Sequence, residues 1–458
     1  MPLPLTPEPK ADPAASSPAT SPLVADGGAG GAAAAPAAAL AASNSPAPAP
    51  SAAAKPRLPS PLTIPYFRNL WMGSTVSLLG DQFYLVALPW LVLQLTGSSL
   101  ALGTILMAAG VPRAALMLMG GAISDRFAPR RILIATACAR TLLVAAIALL
   151  TSLHLIQLWH LYFLAFAFGV ADAFSFPASG AMMPTLVKPE QLPAANALFA
   201  SSAQASTMLG PAPAGLVIKR WGMAPAFWAD AVSFLFAIAA LLRVPEVPRP
   251  APPPGAPPKP SVLHSIAEGL RYVHRDHALR SLMLLAAGLN LCAIGPIMVG
   301  LAMLAKFHFG SSAAYGTFIS CFGAGALAGM ILAGTMKHPR RRGLMLLGAA
   351  ALQSVGLALL GVLHGFAAVV VILALMGLVG GLVNVTLASW MQARVERALL
   401  GRVMSVLMFS ALGLVPISSL IAGAVAQLHL DLMFVAAGAG MLLVTLVAAA
   451  DKGARAID

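Results

Sequence analysis

The chain has 458 residues, of which 59% are hydrophobic and only 9% are charged, and its mean hydropathy is +0.85. This composition excludes an ordinary soluble globular domain and indicates an integral membrane protein. The net charge of +13 would suggest a nucleic-acid partner in a soluble protein. Here most Lys and Arg residues lie in loops on one side of the predicted membrane, so no nucleic acid is expected.

The first 60 residues are rich in Ala, Pro and Ser. They lack the basic start and the apolar core of a secretory signal peptide. A segment of this composition cannot bury enough apolar surface to offset the entropy of ordering. Residues 1–60 are therefore predicted to form a disordered cytoplasmic tail.

Twelve apolar segments follow the tail, and nearly all reach the length of about 20 residues that crosses a bilayer core as a helix. The predicted spans are 67–93, 99–122, 131–152, 157–182, 191–218, 223–243, 279–305, 312–336, 343–363, 366–391, 400–427 and 431–450. With both termini in the cytoplasm, only Lys219, Arg220 and Lys306 fall in outer loops. Lys and Arg in short loops favour the cytoplasmic side, so we expect a multi-pass protein of the inner (plasma) membrane with both termini inside.

The one long interior connection, residues 244–278, begins with a Pro-rich stretch. Its second part has apolar residues at 262, 263, 266, 270 and 273, which share one helical face and predict a helix on the inner membrane surface. Six spans lie on either side of this linker, in 61–243 and 279–451, which suggests an internal duplication. The predicted fold is an all-α integral membrane protein with twelve transmembrane helices in two pseudo-symmetric six-helix halves.

The loop after the second span combines an acid with a cluster of arginines. Its key residues are Gly121, Asp125, Arg126, Arg130 and Arg131. Guanidinium groups can hold Asp125 in a charge-assisted pair, and such a cluster can latch two halves of a bundle in one state and release them in another. The alternative is a basic loop that only orients the protein. The acid favours a gating role, because Asp contributes little to orientation.

Spans five and eleven carry Gly and Pro interruptions at matching places in the two halves. Span five contains Gly210, Pro211 and Gly215, and span eleven contains Gly413 and Pro416. Paired interruptions of this kind are typical of transporters that work by alternating access.

With these motifs, the chain resembles the major facilitator superfamily over residues 62–450. The 121–131 loop is similar to the family signature between its second and third helices, although Ala128 and Pro129 replace a usual Gly and Arg. Leu79-Gly80-Asp81 and the segment 190–197 are similar to the drug and siderophore exporter branch. Gly210-Pro211 resembles its antiporter signature, with Ala214 in place of a Gly.

Five ionisable residues lie deep in the spans, where charges are costly and usually functional. They are Asp81, Asp172, Asp230, Arg113 and Arg140. From their depths, we expect Arg140 to meet Asp172 and Arg113 to pair with Asp81. Three acids for two arginines leave one carboxyl without a cationic partner, and such a group can take up and release a proton.

Asp81 is the preferred proton carrier, since the first helix lines the central cavity by resemblance. The alternative is a structural Asp81–Arg113 pair. Asp172 is expected to be structural beside Arg140, and for Asp230 helix packing and a coupling function both remain open.

The substrate cavity is predicted from aromatic and amide side chains. The resemblance places Asn290 and Asn384 on cavity-lining helices, and Tyr84, Phe168 and Phe176 would add aromatic walls. A mostly apolar pocket with a few polar groups suits an amphipathic or lipophilic molecule.

No enzymatic activity is expected, because the sequence has no Gly-Lys-Ser/Thr phosphate loop, no nucleophile motif and no metal-ligand cluster. No cofactor or metal is therefore predicted. We expect a monomeric secondary transporter with a small-molecule substrate, protons as coupling ion and the lipid bilayer as its surroundings. Its predicted function is proton-coupled efflux of drug- or siderophore-like molecules. The alternatives are an importer or facilitator on the same fold, and a receptor or assembly protein that does not transport.

Overall fold

The computed structural model describes residues 60–246, 262–336, 341–395, 403 and 413–451. Within these ranges all regular structure is helical. Nearly all of the predicted tail and the Pro-rich part of the linker lie outside the described residues.

Residues 60–246 form seven α-helices. They are α1 (Pro65–Thr96), α2 (Ser99–Arg126), α3 (Pro129–Ser152), α4 (Leu158–Leu186), α5 (Leu192–Leu209), α6 (Pro211–Trp221) and α7 (Met223–Leu242). Pro residues stand in the first turns of α1, α3, α5 and α6, where the missing N–H costs nothing. The α1–α2 turn is made by Gly97, whose φ of 64° is left-handed and favours glycine.

The described residues after the linker form eight further α-helices. They are α8 (Val262–Arg275), α9 (His277–Gly295), α10 (Leu301–Phe307), α11 (Ser312–Thr335), α12 (Arg342–Leu359), α13 (Phe366–Arg394), α14 (Val415–Leu428) and α15 (Leu430–Ala450). A π-helical turn, Pro296–Gly300, joins α9 to α10, and together they form one continuous span.

Ten helical segments of the described chain are long and apolar enough to cross a membrane. The predicted fifth span is the clearest departure, because Gly210 and Pro211 divide it into α5 and α6. The eleventh span is described only in its second part, as the shorter helix α14. A multi-pass helical fold is confirmed, whereas the count of twelve and the arrangement in two pseudo-symmetric six-helix halves remain predictions.

The helices of residues 61–243 (the first half of the chain) and of residues 279–451 (the second half) pack mostly on partners within the same range. In the first, α1 packs on α7, α2 on α4, and α3 on both α4 and α7. In the second, α11 packs on α13 and α12 on α15. Contacts between residues 61–243 and 279–451 run chiefly through α2 with α14, and through α5 and α6 with α11.

Glycines allow the backbones to touch at both of these contacts. A Cβ on Gly103 of α2 would lie 2.5 Å from the carbonyl oxygen of Ser419 on α14, and one on Gly423 would lie 2.6 Å from that of Ser99. The Ser99 hydroxyl donates to the carbonyl oxygen of Gly423 at 2.8 Å. Small residues permit this close approach in helices that gain little from apolar burial in lipid.

The helix predicted in the linker is present as α8, and its place on the membrane surface remains a prediction. Val273 on its predicted apolar face is buried in a cluster with Leu279, Leu282 and Trp390, whereas Leu270 is exposed. This packing anchors the end of α8 to helices α9 and α13.

The junction of α8 and α9 is fixed by Asp276. Its carboxylate accepts hydrogen bonds from the backbone N–H groups of Ala278 (2.9 Å) and Leu279 (3.2 Å) and pairs with Arg394 Nε at 3.0 Å. Partial burial raises the pKa of Asp276, but the hydrogen bonds from Arg394, Leu279 and Ala278 outweigh this effect and hold the pKa below its ordinary value.

We expect Asp276→Ala to lower the free energy of unfolding by about 1 kcal/mol, because a helix N-cap is lost. Asp276→Asn keeps the cap and loses only the ion pair, so it should cost less. Since the folded pKa is depressed, the advantage of Asp over Asn is present near neutral pH and disappears as the pH falls through that pKa, below about 4. Thermal unfolding of both variants from pH 7 to pH 3 tests this expectation. Equal losses for Ala and Asn would contradict it.

Candidate functional site

Four charged side chains from four helices form one chain of ion pairs inside the first half. Arg140 on α3 pairs with Asp81 on α1 through Nη2 and with Asp172 on α4 through Nη1, at 3.6 Å for the latter. Asp172 also binds Arg113 Nε of α2 at 3.1 Å. The order is therefore Asp81, Arg140, Asp172, Arg113, and each inner member contacts two partners.

The predicted Arg140–Asp172 contact is present, but the predicted pair of Arg113 with Asp81 is wrong. Arg113 binds Asp172, because α2 packs on α4 rather than presenting this side chain to α1. Asp81 is bound by Arg140, which lies 59 residues away in sequence. The sequence indicated which charged residues lie along the spans, whereas the direction of each side chain depended on the neighbouring helices.

Aromatic rings surround the guanidinium group of Arg140. Its Cζ lies 4.3 Å from the centroid of Phe234 and 4.9 Å from that of Phe168. Phe168 in turn stacks on Tyr84, with ring centroids 4.7 Å apart and an interplanar angle of 10°. Cation–π contacts of this kind stabilise a desolvated guanidinium group. Arg140 Nε and the Tyr84 hydroxyl are buried and make no hydrogen bond within the described chain.

Asp230 on α7 is the acid that pairs with neither arginine within the described residues. It is 0% exposed, and its Oδ2 has no hydrogen-bond partner there. Its Oδ1 receives a long hydrogen bond from Ser233 at 3.4 Å. Asp230 lies against α1, since a Cβ on Gly80 would be 2.8 Å from Oδ1. Gly80 precedes Asp81 in the sequence. The carboxyl group of Asp230 therefore lies near Asp81.

Sequence reasoning missed three neighbours of this network: Gly80 as a contact point, Ser233 and Phe234. Ser233 and Phe234 follow Asp230 by three and four residues, the spacing that places side chains on one helical face. That spacing was a usable signal, and it would have directed Asp230 into the bundle and away from lipid. The need for glycine at position 80 is visible only when α7 is in place.

The predicted cavity residues are only partly brought together. Tyr84 and Phe168 stack beside Arg140, whereas Phe176 is 61% exposed. Asn290 on α9 is half-buried and Asn384 on α13 is exposed. Their common role in binding a substrate remains a prediction.

A separate cleft of about 190 Å³ opens between α11, α12 and α13. Its lining includes Arg342, Thr386 and Ser389. Its lining residues all belong to the second half of the chain, and none of them is a predicted cavity residue, although Val385 and Thr386 are close to Asn384 in sequence.

The basic loop is described in part. Helix α2 extends through Gly121, Asp125 and Arg126, whose side chains lie outside the described part of the structure. Arg130 donates from Nε and Nη2 to the carbonyl oxygens of Leu241 and Leu242, both at 3.1 Å.

Arg131 pairs with Glu246 at 3.0 Å. Arg130 therefore holds the carboxyl end of α7, and Arg131 binds the segment that follows this helix. A cation at this position also complements the helix dipole.

The helix-five motif contacts the second half directly. Gly215 accepts a hydrogen bond at its carbonyl oxygen from the Ser312 hydroxyl at 3.0 Å, and the N–H of Ala212 donates to Ser320 Oγ at 3.0 Å. A Cβ on Gly316 of α11 would lie 2.1 Å from the carbonyl oxygen of Pro211. The interruption at Gly210 and Pro211 places Ala212 in the first turn of α6, where its N–H has no partner within the helix and can donate to Ser320 on α11.

We expect Gly316→Val to destabilise the protein by about 1–3 kcal/mol, because the new side chain overpacks a backbone contact between the halves. The matched control is Gly348→Val on α12, where a Cβ meets nothing within 4 Å. Thermal unfolding of the two purified variants compares the sites. Equal unfolding temperatures would show that the contact between α6 and α11 tolerates a larger side chain at position 316.

Comparison with known families gives one match that covers most of the chain. The family described as Major Facilitator Superfamily matches residues 70–418.

Among curated proteins, the chain is similar to exporters at low identity. The multidrug efflux pump Tap of Mycolicibacterium fortuitum is 28% identical over 405 residues, which cover 85% of this chain and 95% of that protein. Macrolide efflux protein A of Streptococcus pyogenes is 24% identical, with 74% and 84% covered. The enterobactin exporter EntS of Shigella boydii serotype 18 is also 24% identical, with 74% and 80% covered.

Solved structures share the fold. The nucleoside transporter NupG superposes with a TM-score of 0.63 at 11% identity, covering 84% of this chain and 98% of that one. A bacterial homologue of the iron transporter ferroportin in the inward-facing state gives 0.63 at 15% identity, with 84% and 98% covered. At these identities the likeness concerns the fold alone.

Proposed function

We propose, from the premise that this chain belongs to the Major Facilitator Superfamily, that it exports small amphipathic molecules in exchange for protons. The family establishes a membrane transporter. The direction, the substrate class and the coupling ion are our proposal. It is supported by similarity to three kinds of exporter, whose names give drugs, macrolides and enterobactin as their substrates.

Proton coupling is inferred from the charge balance of the ion-pair network, in which Arg140, Asp172 and Asp230 are largely buried and the end member Arg113 is 48% exposed. Two arginines face two carboxylates in the ion-pair chain, and Asp230 is a third carboxyl beside it. Uncompensated buried charge costs several kcal/mol, whereas a protonated Asp230 leaves the cluster neutral. Asp230 is therefore the proton carrier that we favour. Asp81 and Asp172 are both bound to arginine and serve to position Arg140.

Loss of the proton from Asp230 would change the partners of Arg140. The guanidinium group lies over Phe234, one helical turn from Asp230, and its Nε makes no hydrogen bond within the described chain. A newly charged Asp230 competes with Asp81 for this group. Asp81 is on α1 and Asp230 is on α7, and these two helices pack on each other. When Arg140 changes its partner from Asp81 to Asp230, the force on α1 and α7 changes. Proton release is thereby linked to movement of these helices.

We also propose that the loop around Asp125 gates the cytoplasmic end. Arg130 binds the end of α7, and Arg131 binds Glu246 just beyond it. Movement of α7 would therefore move the loop. We expect Asp125→Asn to leave the protein inserted but to slow transport severely, because the charge-assisted latch is lost. The measurement is turnover in vesicles at equal expression. Undiminished turnover would exclude the gating role.

The proposal as a whole is tested by transport in proteoliposomes with an imposed pH gradient. Macrolides, other amphipathic drugs and siderophores are supplied one at a time, and proton flux is followed with a trapped pH-sensitive dye. An exporter with proton antiport moves protons inward as substrate leaves the cytoplasmic side. Substrate movement that ignores the gradient would favour a facilitator, and accumulation toward the cytoplasmic side would favour an importer. Failure to move any substrate would favour a receptor or assembly role.

A further inference from the structure

Three potential metal ligands from three separate segments meet at one end of the second half. His308 follows α10, His364 lies between α12 and α13, and Asp431 is in the first turn of α15. Each offers a ligand atom, and the three atoms lie within 4.8 Å of one another. The segments that meet here belong to the end of the bundle that the Lys and Arg asymmetry places outside the cytoplasm.

The spacing of these atoms is close to that of a metal site. His364 Nε2 and Asp431 Oδ1 are 3.0 Å apart, and two ligands of a tetrahedral zinc ion with bonds of about 2.0–2.1 Å are about 3.3–3.4 Å apart. The rings of His308 and His364 stack at 4.4 Å. His308 is exposed, so its ring can turn toward the other two ligands without disturbing the core.

The backbone under the site is already fixed. A Cβ on Gly361 would lie 2.4 Å from the carbonyl oxygen of Asp431, so the α12–α13 connection and the start of α15 touch. His364 and Asp431 are therefore held together although 67 residues separate them in sequence. That separation explains why no ligand spacing was visible in the sequence, which predicted no metal.

We propose that His308, His364 and Asp431 bind a divalent first-row transition metal, with Zn²⁺ as the best fit. Two imidazoles and one carboxylate are ligands that zinc accepts, with a fourth position left for water. Mg²⁺ and Ca²⁺ prefer sites made of oxygen alone. The bound ion ties α10, the α12–α13 connection and α15 together at the outer end. It binds from the bulk solution, because Asp431 and His364 side chains are 52% and 34% exposed.

The test is calorimetric titration of ZnCl₂ into the full-length protein, purified without a polyhistidine tag. We expect saturable binding of one zinc ion and a rise in thermal unfolding temperature, since a ligand that binds only the folded state stabilises it. His308→Asn, His364→Gln and Asp431→Asn should each weaken binding about tenfold or more, as loss of a direct ligand costs at least as much as loss of a supporting one. MgCl₂ should produce neither effect.

Two further variants control the experiment. Asp431→His retains a ligand at the same place and should keep zinc binding, which separates ligand chemistry from negative charge. His154→Asn changes an exposed histidine with φ of 57° in another outer turn and should bind zinc as the unchanged protein does. The proposal is overturned if zinc does not bind saturably, if the three ligand variants bind zinc like His154→Asn, or if Mg²⁺ binds equally well. These outcomes do not depend on whether the protein transports.

Discussion

Arg140→Gln is expected to destabilise the protein by about 3–5 kcal/mol, because breaking a buried ion pair leaves an uncompensated charge. Arg140 contacts Asp81 and Asp172 and is enclosed by Phe168 and Phe234. Its side chain is only 12% exposed. Asp172 keeps Arg113 as a partner, so Asp81 is the acid that would be left alone.

The measurement is thermal unfolding in detergent, with Arg131→Gln as the matched control. Arg131 is also paired, with Glu246, but its side chain is 72% exposed, and such surface pairs contribute about 0–1 kcal/mol. The double variant Arg140→Gln with Asp81→Asn should recover much of the loss, since it removes the stranded carboxylate. Equal unfolding temperatures for Arg140→Gln and Arg131→Gln would contradict the buried network.

Asp230→Asn is expected to abolish transport driven by a pH gradient while leaving downhill exchange of substrate. Asn has the shape of a protonated Asp and cannot release a proton, so the cluster stays in its neutral state. The fold should tolerate the change, because Oδ2 of Asp230 has no hydrogen-bond partner within the described chain. Proteoliposomes provide both measurements on one preparation, and thermal unfolding of the same sample reports the stability.

Two other changes separate coupling from structure. Glu190→Gln alters an exposed carboxyl outside the network and should change nothing. Asp81→Asn removes one of the two acidic partners of Arg140 and should lower the unfolding temperature as well as transport. If Asp230→Asn transports normally with the gradient, then Asp230 is a packing residue. If Asp81→Asn is stable and loses only its pH dependence, the carrier is Asp81, which the sequence favoured.

Much of the charge network was predictable as a set of residues. Charges are rare inside apolar spans, so Asp81, Arg113, Arg140, Asp172 and Asp230 stand out by composition alone. The surplus of one acid followed from counting. Which acid lacks an arginine did not follow, because a helix can turn any of its faces toward a neighbour and depth does not specify the direction.

The sequence by itself determined a multi-pass helical membrane protein, the places where most helices end and the resemblance to a transporter family. Hydrophobic length, Gly and Pro positions and loop charge act locally, so they can be read along the chain. The tertiary structure decided the contacts between distant residues. It paired Arg140 with Asp81, buried Asp230 against α1, and brought His308, His364 and Asp431 together. These contacts depend on which helices pack side by side, and that is a property of the assembled bundle.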